Sequence, residues 1–235
     1  MTDNLIRLNK YIADSGVASR RRAERLIVNG QVKVNNNLVK ILGTKIDPDR
    51  DVVVVSGKKV QPSNKMLTVI YYKPKGLIST TKISREKGRA LTDAIKIKQR
   101  LVIAGRLDKD AEGMIILTTD GQLALQITHP RYKHEKEYVV DTQEFIKDSV
   151  LRRMKRGLHV NKQLLKAKTA WLSGDKQMHL VLTEGRKHHI KRLAAAVGLT
   201  VIKLKRVRIG KLRLKNLKPG EYNSLNQDEI KALVS

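Results

Sequence analysis

Two apolar runs of strand length, Leu101-Val102-Ile103-Ala104 and Met114-Ile115-Ile116-Leu117, bracket a charged segment. Between Gly105 and Gly113 that segment carries Arg106, Asp108, Lys109, Asp110 and Glu112. Short runs with no polar break read as strands buried on both faces. A loop pinned at both ends by buried strands is rigid, so a carboxylate on it can be aimed. Aiming is what a catalytic acid, base or nucleophile requires, and the rest of the chain must say which carboxylate is used.

Charge narrows the partner. Lys and Arg number 49 against 22 Asp and Glu, a formal charge of +27, which points to a polyanion. An acidic membrane is the weaker choice, because no apolar run approaches a membrane span and no strongly amphipathic basic helix stands out. The chain has no Cys, which excludes disulfides, thiolate zinc fingers, iron–sulfur clusters and a thiol nucleophile. The residues from Met1 to Arg7 show no signal-peptide core, so a cytoplasmic protein is expected.

A small N-terminal module is expected over residues 1–62. Leu8, Tyr11 and Ile12 begin one helical face, which Gly16 ends; Ser19 caps a second helix with Ala23, Leu26 and Ile27 inside and Gly30 beyond it. Short strands follow at 31–36 and 52–55. Arg20, Arg21, Arg22 and Arg25 crowd the second helix, and Arg7 and Lys10 flank the first. A charge run is usually a solvated face, but cations in a first helical turn oppose the helix dipole, which favours a phosphate-binding reading. Pro62-Ser63-Asn64-Lys65 reads as the joint to a second module over 63–235. There, strands at 67–72, 101–104, 114–118, 138–140, 170–172, 178–183, 201–204 and 207–209 outnumber helices at 123–128, 144–156 and 187–197, with a polar surface loop at 81–90. The expected class is α+β: a helix-helix-strand module, then a mixed, largely antiparallel sheet flanked by helices. From Arg186 to Lys218 there are twelve basic residues and no acidic one, an expected RNA-facing wall.

Elimination shortens the chemistry. Asp108-x-Asp110-x-Glu112-Gly113 copies half of a calcium loop, but Thr119 stands where that loop needs a bidentate Glu. A two-metal nuclease would need further convergent carboxylates. The adjacent His188-His189 pair does not face one ion on a helix and reads as RNA contact or surface. No Gly-x-Ser-x-Gly, Gly-x-Gly-x-x-Gly or P-loop occurs. What remains is one carboxylate in a basic site; a lone carboxylate among arginines stays ionised, which suits a nucleophile or an electrostatic stabiliser. The plainer reading, in which Asp108 only pairs with Arg106 or Lys109 at a turn, stands level with it on spacing alone.

Two resemblances weigh in. Arg7-Leu8-Asn9-Lys10-Tyr11-Ile12-Ala13, Gly16-Val17-Ala18-Ser19-Arg20-Arg21 and Leu26 through Asn35 resemble the small RNA-binding domain first described in ribosomal protein S-four. Gly105-Arg106-Leu107-Asp108, Gly113-Met114-Ile115-Ile116-Leu117-Thr118 and Asp120-Gly121 resemble the signature of ribosomal RNA pseudouridine synthases of the RsuA type. In the same order follow matches at Tyr72-Lys73-Pro74-x-Gly76, His129-Pro130 with Lys136-x-Tyr138, Glu184-Gly185-Arg186-x-x-His189-Ile190-Lys191-Arg192, Gly198-x-x-Val201-x-x-Leu204-x-Arg206, and Lys218-Pro219-Gly220-Glu221. Asn9 to Ile12, Ser79-Thr80-Thr81 and His134 to Tyr138 look closest to the large-subunit RluF type.

The resemblance implies conversion of a uridine in ribosomal RNA, on the large-subunit side, to pseudouridine, by base flipping and without metal or cofactor. It implies Asp108 as the catalytic carboxylate, Tyr138 stacked under the uracil, and Lys191 as the cation paired with the catalytic Asp. Arg106, Leu204 and Lys73 are then the substrate-binding candidates, and Arg186, Arg192 and Arg206 join the N-terminal cations as RNA contacts. The chain departs from the family pattern at Tyr72 (usually Asn), Ala111 (Thr or Ser), His189 (Gln) and Lys191 (Arg). A monomer acting on ribosomal RNA or a pre-ribosomal particle, with no membrane partner, is expected. A non-catalytic RNA-binding or ribosome-assembly protein and a metal-dependent nuclease are the rival readings.

Overall fold

The computed structural model describes residues 4–62, 66–80 and 88–234. The joint at 63–65 and most of the polar loop expected over 81–90 therefore lie outside the described residues. The chain divides into two compact units: Met1–Met66 with Ile97–Leu101 and Thr119–Gly121, and Leu67–Lys96 with Val102–Thr118 and Gln122–Ser235.

In the first unit, β1 (Ile6–Arg7) leads into α1 (Leu8–Asp14) and α2 (Arg20–Val28). The apolar spacing works as expected: Leu8, Tyr11, Ile12, Ala23 and Ile27 are buried together. The Ser19 side chain caps α2 by accepting from the Arg22 N–H at 3.2 Å. Then come β2 (Val32–Val34), β3 (Asn37–Leu38), β4 (Lys45–Ile46), β5 (Val53–Val55) and β6 (Lys58–Val60). Four of them form an antiparallel sheet in the order β3-β2-β5-β6. Two hairpins join at Asn35-Asn36 and Ser56-Gly57, all with positive φ, the backbone that matches strand twist.

The second unit runs β7 (Thr68–Lys73), β8 (Val102–Ala104), β9 (Glu112–Thr118), α3 (Gly121–Thr128), β10 (Lys136–Thr142), α4 (Asp148–Arg156), β11 (Leu158–Val160) and β12 (Gln163–Leu165). It continues with β13 (Thr169–Gly174), β14 (Gln177–Leu182), α5 (His189–Ala195), β15 (Val201–Ile209), β16 (Leu212–Arg213), β17 (Tyr222–Ser224) and α6 (Gln227–Val234). One sheet has the order β13-β14-β10-β15-β9-β7-β17, with β16 on β15 and β8 on β9. Its pairings are antiparallel except β9 with β15, where Glu112 and Gly113 face Lys205 and Arg206. The class is α+β, as expected. Residues 201–209 form one continuous strand instead of two. α4 starts at Asp148, because Glu144 leaves the helix to accept from the Thr200 N–H and Oγ1 at 2.7 and 2.8 Å.

The parallel junction positions everything near Asp108. Gly113 has φ +106, and a Cβ built there would lie 2.3 Å from the Arg206 carbonyl oxygen and 2.7 Å from its nitrogen. Only glycine lets the two backbones approach this closely. Arg206, 1% exposed, then turns its guanidinium onto backbone carbonyls: Nε to Met114 at 2.7 Å, Nη2 to Gly105 at 2.9 Å, Nη1 to Arg106 at 3.4 Å. From the other side Lys73, fully buried at the end of β7, donates to the carbonyls of Ala111 at 2.6 Å, Pro74 at 3.1 Å and Lys109 at 3.3 Å. Gly76 N–H also donates to Lys109 O at 2.7 Å, and Ser79 Oγ donates to Leu107 O at 2.7 Å while accepting from Leu107 N at 3.1 Å.

Two tests follow from this clamp. Gly113→Ala must push two strands apart in a left-handed backbone, costing about 3 kcal/mol or more and lowering the melting midpoint by about 6–12 °C. Gly105→Ala, with φ +86 and no atom nearer than 3.8 Å, should cost only about 1–2 kcal/mol. Thermal melts of the pair check this, and equal losses would contradict it. The second test is of pH. Burial holds the Lys73 ammonium down at about 8 from its ordinary 10.5, and burial with the Arg206 charge does the same for Lys136. Between those values the unfolded chain binds protons that the folded chain does not, so both groups make stability rise with pH from about 8 and contribute no slope below it. Urea titrations of Lys73→Met should show a shallower rise from pH 8 to 10 than the unmutated protein, besides an overall loss of about 1–3 kcal/mol from the orphaned carbonyls.

Candidate active site

The Asp108 loop closes on itself through an Ala111 N–H to Asp108 O hydrogen bond of 3.1 Å. With its carbonyls held by Lys73, Ser79 and Arg206, the loop presents the Asp108 side chain, 35% exposed, to a cavity of about 230 Å³. Four segments line that cavity: Arg106 to Asp108 with Ala111, Tyr138 on β10, residues 185–191 around the start of α5, and Leu204 on β15. Tyr138 pairs with Arg206 and Val140 with Leu204 across β10 and β15, so Tyr138 and Leu204 share one sheet face. Both are nearly buried, at 7% and 7% exposure, and give the cavity an apolar wall and floor beneath an ionisable rim.

The three carboxylates of the loop do not converge. Asp108 Oδ1 faces His188 Nε2 at 3.8 Å. Asp110 accepts a hydrogen bond from Lys191 Nζ. Glu112 takes the Tyr72 hydroxyl at 3.0 Å and Lys203 Nζ at 3.3 Å. Among the described residues no group of three or more His, Asp and Glu is placed to hold a metal ion. Partial burial pushes the Asp110 carboxyl up, and the Lys191 hydrogen bond and charge more than offset it, leaving it below its ordinary value. Burial, then the hydrogen bond to Glu112 and its charge, push the Tyr72 hydroxyl up to about 12, so Tyr72 is a fixed donor.

Of the residues singled out in the sequence, Asp108, Tyr138, Lys191, Arg106, Leu204 and Arg186 come together around this cavity. Lys191 differs in its partner: it reaches Asp110, because α5 begins only at His189 and sets Lys191 opposite the outer end of the loop. Lys73, a substrate-binding candidate in the sequence, lies outside the cavity lining: it is fully buried and donates to loop carbonyls. Arg206, an RNA-contact candidate, is likewise buried and bonded to backbone carbonyls, and Arg192 donates to Val160 O at 3.0 Å and Gln163 Oε1 at 3.1 Å. The one-sign stretch from Arg186 to Lys218 is therefore not a uniform wall. Arg208 also turns in, to Glu137 at 2.7 Å and Glu135 at 3.1 Å, while Lys203, Lys211, Arg213, Lys215 and Lys218 stay exposed. In the first unit Arg7, Arg20, Arg21, Arg22 and Arg25 are exposed, and Lys10 pairs with Asp14 at 2.6 Å.

His188 is the residue whose place the sequence did not reveal. It sits just before α5 with φ 51, a left-handed backbone that turns its ring toward Asp108. Helical periodicity starting at Lys187 hides such a residue inside a helix. His189, by contrast, is 3% exposed, and burial lowers its pKa, so it packs as a neutral ring. A larger hollow of about 940 Å³ lies along β16, β17 and residues 214–221. Its Lys215 is paired with Glu229, and Glu221 accepts from the Lys218 N–H, so it offers no comparable free carboxylate.

Comparison with known proteins agrees with this geometry. Residues 67–196 match the family model described as RNA pseudouridylate synthase, and residues 6–52 match the S4 domain. Ribosomal large subunit pseudouridine synthase B of Bacillus subtilis (strain 168) is 39% identical, over 97% of this chain and 95% of its own. The dual-specificity RNA pseudouridine synthase RluF of Escherichia coli O6:H1 is 34% identical, over 98% of this chain and 79% of its own. A crystal structure of a pseudouridylate synthase superposes with a TM-score of 0.70 at 30% identity, covering 97% of this chain and all of that one. With a glycine-locked loop holding one carboxylate over an apolar floor, and with relatives matched along nearly its whole length, the chain belongs to the RNA pseudouridylate synthase family and carries an S4 domain at its N-terminus.

Proposed function

We propose that the protein isomerises a uridine of large-subunit ribosomal RNA to pseudouridine, with Asp108 as the catalytic carboxylate. The observation that carries this reading is the cavity itself. One exposed carboxylate on a clamped loop faces a space of about 230 Å³ whose floor is Tyr138 and Leu204, a size and polarity suited to one flat pyrimidine. A base inside a helix cannot reach such a cavity, so the uridine must be flipped out; Arg106 and Arg186, which line the cavity, the latter paired with Glu184 at 3.0 Å, then hold its phosphates. Asp108 assists breakage of the N1–C1′ bond and the uracil turns over Tyr138. A C1′–C5 bond forms, C5 gives up its proton and N1 takes one from solvent, with nothing oxidised or reduced. His188 lies beside the Asp108 carboxylate at 3.8 Å, and the Lys191–Asp110 pair braces the loop beside it. The S4 domain supplies further phosphate contacts through Arg20, Arg21, Arg22 and Arg25.

The carboxylate role is tested with ribosomal RNA transcript tritiated at uridine C5, in the presence of a metal chelator. The expected result is tritium release by the unmutated protein and none by Asp108→Asn, with RNA binding retained. RNA binding without release would make this a binding protein, and cleavage that needs added magnesium would make it a nuclease. The electrostatic part has its own readout: binding constants measured against salt. Arg20→Gln and Arg22→Gln should each weaken binding to any RNA sequence and each reduce the salt slope by about 1. Unchanged slopes would place the phosphates elsewhere.

A further inference from the structure

The segment between α3 and β10, His129-Pro130-Arg131-Tyr132-Lys133-His134, has no part in the chemistry above, yet its side chains form an exposed stack. A single turn over Pro130–Tyr132 fixes it: the His129 ring nitrogen Nδ1 accepts from the Arg131 N–H at 3.2 Å, and the N–H groups of Tyr132 and Lys133 donate back to His129 and Pro130 at 3.1 Å each. Lys133, with φ 51, then reverses the chain. The side chains stack. The Arg131 guanidinium lies 4.5 Å from the centre of the Tyr132 ring, and Tyr132 and His134 are nearly parallel, with centres 6.0 Å apart at 13°. His129 meets Tyr132 edge-on at 6.4 Å.

We infer that this arm is a stacking platform for an unpaired base of the RNA, beside the uridine that enters the cavity; the role beside that uridine rests on the function proposed above. Three observations support it. The outer end of the stack is open, with Arg131 exposed and Tyr132 37% exposed, while His134 is half-buried beneath. The run from 129 to 134 contains two histidines, an arginine and a lysine and no carboxylate, so its charge suits a phosphodiester next to the stacked base. The arm is also anchored to the cavity at both ends. Thr128 before it packs 3.9 Å from the Cβ position of Gly105, the neighbour of Arg106, and β10 after it carries Tyr138. Planar guanidinium and aromatic groups accept bases of any sequence on their faces. The other exposed stack, Trp171 on His179 at 4.8 Å, differs in this respect: His179 rests on Glu137, which also neutralises Arg208 and lies 3.7 Å from Arg213.

The test uses the full chain and two probes, a labelled single-stranded oligoadenylate of about twelve nucleotides and an RNA duplex of the same length. Tyr132→Ala should weaken the single strand about tenfold and leave the duplex unchanged, while Tyr132→Phe, which keeps the ring and loses only the hydroxyl that accepts from Arg131 Nη2, should weaken the single strand far less and leave the duplex unchanged. Arg131→Lys keeps the charge but loses the plane, and should weaken the single strand several-fold. Melting midpoints should not move, since Tyr132 is exposed. Normal single-strand binding by Tyr132→Ala, or equal loss on both probes, would overturn the platform, and so would normal single-strand binding by Arg131→Lys. The binding assay needs no turnover, so it separates from the tritium test. Tritium release with normal binding by Tyr132→Ala removes the arm and keeps the proposed reaction. Loss of single-strand binding without any tritium release does the reverse.

Discussion

The site depends on one close approach, the crossing of Gly113 against the backbone of Arg206. The missing side chain at Gly113 brings β9 and β15 into parallel contact, and that contact puts a buried guanidinium under the ends of β8 and β9. A buried cation with no hydrogen bonds would cost several kcal/mol, and carbonyls, which are neutral, satisfy its N–H groups without cancelling its charge. Lys73 repeats the arrangement from the β7 side, and Lys136 donates to His134 O at 3.1 Å. Two buried cations, Arg206 and Lys73, thus hold the loop that carries Asp108, and Lys136 lies close enough to feel the Arg206 charge. Rigidity and electrostatics come from the same hydrogen bonds.

That arrangement explains which parts of the site could be read from the residues. The loop and its flanking strands were legible, because short apolar runs and a glycine turn leave a pattern in one dimension; Asp108 was set apart from Asp110 and Glu112 only by its motif. Tyr138 and Leu204 were legible only through their motifs. Their shared face depends on the bulged register between β10 and β15, which pairs Glu137 with Arg208 but Tyr138 with Arg206. The buried positions of Arg206 and Lys73 were not legible, since a cation bound to main-chain carbonyls leaves no acidic partner in the sequence to reveal it. His188 escaped because a left-handed residue at a helix start breaks no composition rule.

The charge excess shows the same limit on a larger scale. A stretch with twelve cations and no acid was expected to form one RNA-facing wall, but strand alternation sends its members to opposite faces. Arg206 goes under the Asp108 loop, Arg208 to Glu135 and Glu137, and Lys203 to Glu112. The acids that neutralise these cations lie on β9, on β10 and just before it, far away in sequence. Net charge describes the partner of the whole molecule, whereas the fate of each cation is decided by which strand is its neighbour.

The departures from the family pattern become coherent in that light. Ala111 is 1% exposed and contributes its carbonyl to Lys73 and its N–H to Asp108 O, so the loop is held there by main-chain atoms and needs no hydroxyl. Tyr72 bonds to Glu112, which takes that carboxylate away from the cavity. Lys191 lacks the planar fork that could grip a carboxylate in two bonds, and it holds Asp110 as a point charge. That leaves Asp108 with the His188 ring at 3.8 Å, too long for a hydrogen bond. Tyr72 and Lys191 each engage one of the other two carboxylates, and Asp108 is the carboxylate of the three that lines the cavity.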